Sequence, residues 1–274
     1  MDKYAVIGNP VAHSKSPQIH EAFARATGQT LSYERLLAPR DGFLATVAAF
    51  ALSGGKGLNV TVPFKLEAFA LAGTHSPRAK LSGAVNTLKR HEDGWFGDNT
   101  DGPGVVRDIT HNLGIALTAR NILVLGAGGA SRGIMSSLLA EHPRSLTISN
   151  RTFSKAVAIA ELFSPHGPMV AVPPDALAAH SFDIVINATS AGLADKAPPP
   201  WPAAIVASGA FAYDMIYGDS PTAFLTWAKA HGAARTADGL GMLIEQAAES
   251  FFIWRGARPE TAPIFSLLRP PGRD

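Results

Sequence analysis

Between Leu58 and Lys65 the chain alternates apolar and polar residues: Leu58, Val60, Val62 and Phe64 against Asn59, Thr61, Pro63 and Lys65. A period of two predicts a strand. Pro63 has no N–H to give a ladder, so the strand must stop there. Lys65 then sits just past a strand end, with Asn59 and Thr61 on the same face. Three polar groups in a row at that place call for a chemical explanation.

The rest of the chain alternates strand and helix patterns. "KYAVIG" reads as a buried strand. In "SPQIHEAFARATG", Ser16 suits the N-cap, Pro17 the first helical position and Gly28 the stop. "LSYERLLA" is a second strand, "DGFLATVAAFALSGG" a glycine-closed helix and "GLNVTV" a third strand. This β-α-β-α-β order predicts a parallel sheet with crossover helices. Two short runs around "HEDG" predict a hairpin, and 102–115 a helix linking two domains. Ile122–Leu125 form a strand that runs into Gly126-Ala127-Gly128-Gly129-Ala130-Ser131, followed by a helix and a strand at Leu146–Ser149. "FDIVINATSAGL" is a further strand-to-loop unit, "ADKAPPPWP" a proline-rich surface loop and "AFAYDMIY" a strand. "SPTAFLTWAKAHG" repeats the Ser-Pro start and Gly stop of a helix, and a long last helix ends at Gly256.

Composition narrows the function. A length of 274 residues exceeds one ordinary α/β core and predicts two domains. The net charge is +2 and no basic block exceeds two adjacent residues, which argues against nucleic acid as a partner. With no cysteine, disulfides, a thiol nucleophile and a Cys-rich zinc site are excluded. The nine histidines show no HExxH spacing, so no metal site is expected. No apolar run is long enough for a signal peptide or a membrane span, and a cytoplasmic protein is expected.

A strand feeding a glycine-rich turn and a helix N-terminus makes a phosphate cradle. Absent Cβ atoms let the backbone approach a pyrophosphate, and unpaired N–H groups and the helix dipole favour the anion. Gly126 and Gly128 fit the first two positions of the G-x-G-x-x-G fingerprint, while Ser131 takes the third. The second strand ends in Asn150-Arg151-Thr152, with Lys155 one turn on. A site for NAD wants a carboxylate there. Here two cations stand ready for a 2′-phosphate, so NADP is favoured.

Eight stretches, in order, resemble one family, the shikimate dehydrogenases: "SKSP" at 14–17, "NVTVPFK" at 59–65, "GAVNT" at 83–87, "GDNTDGPG" at 97–104, "GAGGAS" at 126–131, "NRT" at 150–152, "NATSAGL" at 187–193 and "DGLGMLIEQAAESF" at 238–251. The resemblance implies reversible NADPH-dependent reduction of 3-dehydroshikimate to shikimate, in aromatic amino acid biosynthesis. It implies Lys65 as the catalytic lysine, Asp101 as its partner, and Ser14 and Ser16 holding the substrate carboxylate. Thr61, Asn86, Tyr217 and Gln246 become substrate contacts. Gly126, Ala127, Gly128, Gly129, Ala130, Asn150, Arg151, Thr152 and Lys155 become cofactor contacts, as do Thr189, Ser190, Gly239 and Met242, with Gly192 beside them. A cation beside the ketone oxygen stabilises a developing alkoxide and can donate a proton, which answers the question posed by Lys65.

The implied fold is two-domain α/β. A substrate domain of 1–101 plus 239–274, with a mostly parallel sheet, is completed by the returning C-terminal helix; a Rossmann-type NADP-binding domain covers 102–238. The chain would act as a monomer or homodimer. It departs from the family pattern at Ser131, at Lys155, where an arginine is frequent, and at Leu193, where a methionine is frequent. Two other readings share this scaffold: a quinate or dual quinate/shikimate dehydrogenase, and a non-catalytic relative that senses the ligand.

Overall fold

The computed structural model describes residues 1–189 and 201–269. Ser190, Gly192, Leu193 and most of the proline-rich stretch lie outside the described residues. The chain divides into two compact units, Met1–Gly104 with Leu243–Asp274, and Val105–Met242.

The first unit carries a six-stranded mixed sheet. β1 (Asp2–Gly8) pairs in parallel with β2 (Leu31–Leu37) and β3 (Gly55–Val60), through α1 (Ser16–Ala26) and α2 (Phe43–Leu52). After α3 (Lys65–Leu71), β4 (Thr74–His75) and α4 (Pro77–Ser82) comes a hairpin, β5 (Thr87–His91) and β6 (Gly94–Asp98). The strand order is β2-β1-β3-β5-β6-β4, with β5 antiparallel to both β3 and β6. Ala5, Ile7, Leu58, Val60 and Leu88 pack against Phe43, Val47 and Phe50 of α2 and against Phe64.

The third strand ends earlier than its pattern predicts. It stops at Val60; Val62 is exposed, while Phe64 turns fully into the core and stacks on Phe43 at 5.1 Å between ring centroids. Burying a large ring outweighs keeping the alternation going, because a side chain of this size contributes about 1.5–3 kcal/mol when buried. Lys65 is therefore the first residue of α3, not the next position of a strand. The start of α1 also differs: Lys15 is the N-cap and Ser16 the first helical residue, because the Ser16 hydroxyl is engaged elsewhere.

The second unit is a six-stranded parallel sheet of order β12-β11-β10-β7-β8-β9. Its strands are β7 (Asn121–Leu125), β8 (Ser145–Ser149), β9 (Met169–Ala171), β10 (Phe182–Asn187), β11 (Val206–Asp214) and β12 (Arg235–Ala237). Taken in chain order this is the doubly wound arrangement, whose strand order reverses between β7 and β10. α6 (Gly129–Ala140), α7 (Phe153–Phe163) and α8 (Ala223–Ala230) connect it. The predicted helix at 102–115 is α5 (Asp101–Arg107) followed by a π-helical turn, Asp108–Asn112. α8 starts later than Ser220-Pro221: Thr222 caps it, its Oγ1 accepting from the Leu225 N–H at 3.3 Å. α9 (Leu240–Arg255) and α10 (Ala262–Leu268) close the chain. Among the described residues no helix is long and apolar enough to cross a membrane.

Candidate active site

In the first unit the hairpin and α3 bring a lysine to a carboxylate. Lys65 is held from both sides: Phe64 before it is buried, and its own carbonyl accepts from the Val85 N–H at 2.9 Å. Asp101 begins α5, where its backbone N–H donates to Asn99 Oδ1 at 3.1 Å. Lys65 Nζ donates to Asp101 Oδ2 at 2.5 Å, and the two side chains are 14% and 6% exposed. That exposure decides between a solvated surface pair, worth at most about 1 kcal/mol, and a pair in a partly desolvated environment where Coulomb energies rise.

The second oxygen of Asp101 is fixed too. Asn86 Nδ2 donates to Asp101 Oδ1 at 2.8 Å, to Thr100 Oγ1 at 2.9 Å and to Gln246 Oε1 at 3.3 Å. Asn86 Oδ1 accepts from the Thr100 N–H at 2.8 Å and from Thr87 Oγ1 at 2.9 Å. These partners settle which end of the amide is which. Gln246, on α9, also accepts from Thr100 at 3.3 Å and donates to Leu243 O at 3.0 Å.

Asn59 does not share a strand face with Lys65, as the alternation predicted, because β3 ends at Val60 and Lys65 opens α3. It is buried, donating to Ser250 Oγ at 2.9 Å and Thr87 Oγ1 at 3.3 Å, and accepting from Tyr33 at 2.8 Å. Ser250 Oγ and Thr87 Oγ1 lie 2.8 Å apart, so Asn59 joins the network that reaches Asn86 and Asp101. Ser14 Oγ donates to Ser16 Oγ at 3.1 Å. Burial pushes the Tyr33 phenol well above its usual range, so it stays a neutral O–H. Thr61 caps the end of β3, its N–H donating to Ile7 O at 3.0 Å and its carbonyl accepting from the Phe64 N–H at 3.1 Å.

The second unit holds the glycine-rich turn. Gly126 has φ +105°, and a Cβ there would lie 3.0 Å from Ala188 O. Only glycine suits both the angle and the approach. Its N–H donates to Ser149 O at 2.8 Å, tying the turn to β8. Ala127 is half-buried, Gly128 exposed, and Gly129 and Ala130 open the twelve-residue α6. Beyond β8, Asn150 donates to Thr152 O at 2.9 Å, while Arg151, Thr152 and Lys155 are exposed. Thr189, after β10, donates through Oγ1 to Asn187 Oδ1 at 2.7 Å, and Asn187 Nδ2 donates to Asp214 at 3.0 Å. Open backbone at a helix N-terminus, room beside Gly128, and two exposed cations with no carboxylate at the β8 end fit a dinucleotide carrying an extra phosphate.

The predicted residues thus separate into groups. Lys65, Asp101, Asn86 and Gln246 form one cluster and Ser14 with Ser16 a second, both in the first unit. Tyr217 lies half-buried in the second unit, which also holds the buried Gly239, whose N–H donates to Ile216 O at 3.0 Å, and the buried Met242. Sequence reasoning missed Thr87, Thr100, Ser250 and Tyr33. Thr87 and Thr100 lie inside quoted stretches, beside Asn86 and Asp101, and that adjacency was the available signal.

Comparison with known proteins agrees along the whole chain. The shikimate dehydrogenase substrate binding domain family matches residues 6–88, the shikimate / quinate 5-dehydrogenase family 108–194, and the shikimate 5′-dehydrogenase C-terminal domain family 239–264. The shikimate dehydrogenase (NADP(+)) of Alkalilimnicola ehrlichii is 56% identical over 98% of this chain and 99% of its own. Among solved structures, an Ael1 enzyme from Pseudomonas putida is 46% identical with a TM-score of 0.91, covering 99% of each chain. The shikimate 5-dehydrogenase of Thermus thermophilus, solved in complex with NADP(H) and shikimate, is 35% identical with a TM-score of 0.88, covering 98% of this chain and 99% of its own. On these matches and on the two units described above, the chain belongs to the shikimate dehydrogenase family.

Proposed function

We propose that this chain is a shikimate dehydrogenase that reversibly reduces 3-dehydroshikimate to shikimate with NADPH. The observation that carries this reading is the Lys65–Asp101 pair, whose carboxylate is bound on its second oxygen by Asn86. The NADP(+)-dependent relatives at over half identity support the cofactor and substrate.

Gly126, Gly128, Gly129 and Ala130 would hold the pyrophosphate, and Arg151 with Lys155 the 2′-phosphate. Bound there, NADPH supplies the hydride. Lys65 supplies the proton: its ammonium beside the ketone oxygen stabilises the charge that grows there and passes a proton to it. Asp101 keeps that ammonium aimed. In the oxidative direction Lys65 takes the hydroxyl proton back. Ser14 and Ser16 orient the carboxylate of the substrate, while Thr61, Asn86 and Gln246 read its ring hydroxyls. Such positioning converts an encounter into a near-attack arrangement, worth several kcal/mol of the barrier. Tyr217, Thr189 and Met242 complete the substrate and nicotinamide contacts in this reading. We read the enzyme as cytoplasmic, where NADPH is supplied, and as a monomer or homodimer.

The test is spectrophotometric. Shikimate-dependent reduction of NADP+ is expected, with kcat/KM for shikimate and NADP+ above that for quinate and NAD+. A preference above about 10-fold for quinate with NAD+, about 1.4 kcal/mol, would move the assignment to a quinate dehydrogenase. No turnover with any of the four combinations would leave a ligand sensor.

A further inference from the structure

Asp98 stands at the open end of the β5–β6 hairpin and holds both sides of the lysine–aspartate cluster. Its carbonyl accepts from the Asn86 N–H at 3.0 Å. Its carboxylate accepts from the Asn99 N–H at 2.7 Å, and Asn99 Oδ1 holds the Asp101 N–H. That carboxylate is buried, so its charge needs partners. Ser76 Oγ, at the start of α4, donates to it, and so does Arg78.

Arg78 is bound at two places. Its Nε donates to Asp98 Oδ1 at 2.7 Å and its Nη2 to Asp98 Oδ2 at 2.9 Å, a fork on both oxygens. The same Nη2 reaches Glu249 Oε1 at 3.0 Å, and Arg258 holds the other oxygen of Glu249. Glu249 lies on α9, three residues beyond Gln246 and so beside it on the helix. Gln246 meets Asn86 and Thr100 at 3.3 Å each, long contacts that a small shift of α9 would break. All these residues belong to the first unit. A guanidinium can hold Asp98 and Glu249 together because its donors lie in one rigid plane; a solvated surface pair would fix nothing.

We propose that Arg78 is a positioning residue for recognition of the substrate's ring hydroxyls, setting α9 against the open end of the hairpin so that Gln246 meets Asn86 and Thr100. This rests on the reading of Asn86 and Gln246 as substrate contacts given above. Without Arg78, Asp98 keeps a buried charge with fewer donors, and Glu249 loses its tie to the hairpin.

Steady-state kinetics test it with Arg78→Met, Glu249→Ala and the double variant. Arg78→Met is expected to raise KM for shikimate by about 10-fold, with KM for NADP+ within about 2-fold of wild type. Glu249→Ala, at a half-buried position, is expected to raise the shikimate KM too. In the Arg78→Met background it should add less than about 2-fold, because the arginine is the link. An unchanged shikimate KM in Arg78→Met, or an equal rise in both KM values, would overturn the role of Arg78. So would a full additional loss from Glu249→Ala on top of Arg78→Met. If Arg78→Met does not fold, an unchanged shikimate KM in Glu249→Ala overturns the proposal. An unchanged shikimate KM in Gln246→Ala would instead sink the reading of Gln246 as a substrate contact.

Discussion

His20 sets up a pH dependence of stability that can be worked through. Its ring is fully buried among Phe23, Tyr33, Phe251 and Trp254. Nε2 faces Asn59, and Nδ1 has no hydrogen-bond partner. Burial pushes its pKa down from 6.5 to about 3, and the bond to Asn59 offsets this only in part. Protonation would place an N–H with no acceptor in an apolar cage. The folded pKa is depressed, so the stability is present above the unfolded value and is lost as pH falls toward 3. Between these limits the unfolded chain binds one proton more than the folded one. The slope approaches about 1.4 kcal/mol per pH unit, and the loss from about pH 7 to about pH 4 is about 3 kcal/mol. Against a total stability of about 5–15 kcal/mol this is a substantial share. Carboxylates contribute to the same range, so the assay is a difference: urea unfolding of wild type and His20→Gln at several pH values. The two free-energy curves should converge by about 3 kcal/mol as pH drops from about 7 to about 4. Parallel curves would refute the account of His20 as a buried neutral ring.

Three further outcomes are expected. Lys65→Ala should lower kcat by at least about 100-fold while shikimate still binds in calorimetry; near-normal turnover would remove Lys65 from the proton transfer. Arg151→Ala should raise KM for NADP+ by about 10-fold and leave KM for NAD+ nearly unchanged, since a charged hydrogen bond to the 2′-phosphate is worth about 1.5–3 kcal/mol. A Cβ on Gly241 would sit 1.9 Å from Asp108 Oδ1, in a place where Asp108 also accepts from Tyr213 at 2.7 Å. Gly241→Ala should therefore cost about 2 kcal/mol or more and lower Tm by at least about 4 °C in calorimetry.

The second unit was the more legible of the two. Strand, glycine turn and helix each carry their own signal, and a parallel sheet buried on both faces leaves long apolar runs such as Ile122–Leu125. Strands of two or three residues, such as β4, β9 and β12, are too short to show a period. In the first unit, the alternation through Val62 and Phe64 concealed the end of β3, because apolar identity cannot tell an exposed valine from a core phenylalanine. The chemical stretches were readable through the family resemblance, residue by residue. The wiring between them was not. In "LSYERLL" Tyr33 reads as a core aromatic, and the partner of its hydroxyl lies 26 residues away at Asn59. Asn59 itself looked like a neighbour of Lys65 by spacing, yet the pleat sends it inward to Ser250, 191 positions along the chain.

The β5–β6 hairpin acts as a ruler. Asn86 stands one step before its first rung, Thr87 opposite Asp98, and Asn99 to Asp101 follow that same rung on the other rail. Five rungs separate that open end from the tip at Glu92 and Asp93. The tip can drift, lengthen or carry a peptide tag without disturbing the amide and the carboxylate. A single residue gained or lost within either rail would turn the side chains over to the opposite surface. Variation among relatives should therefore collect at the tip, and rail length should stay constant.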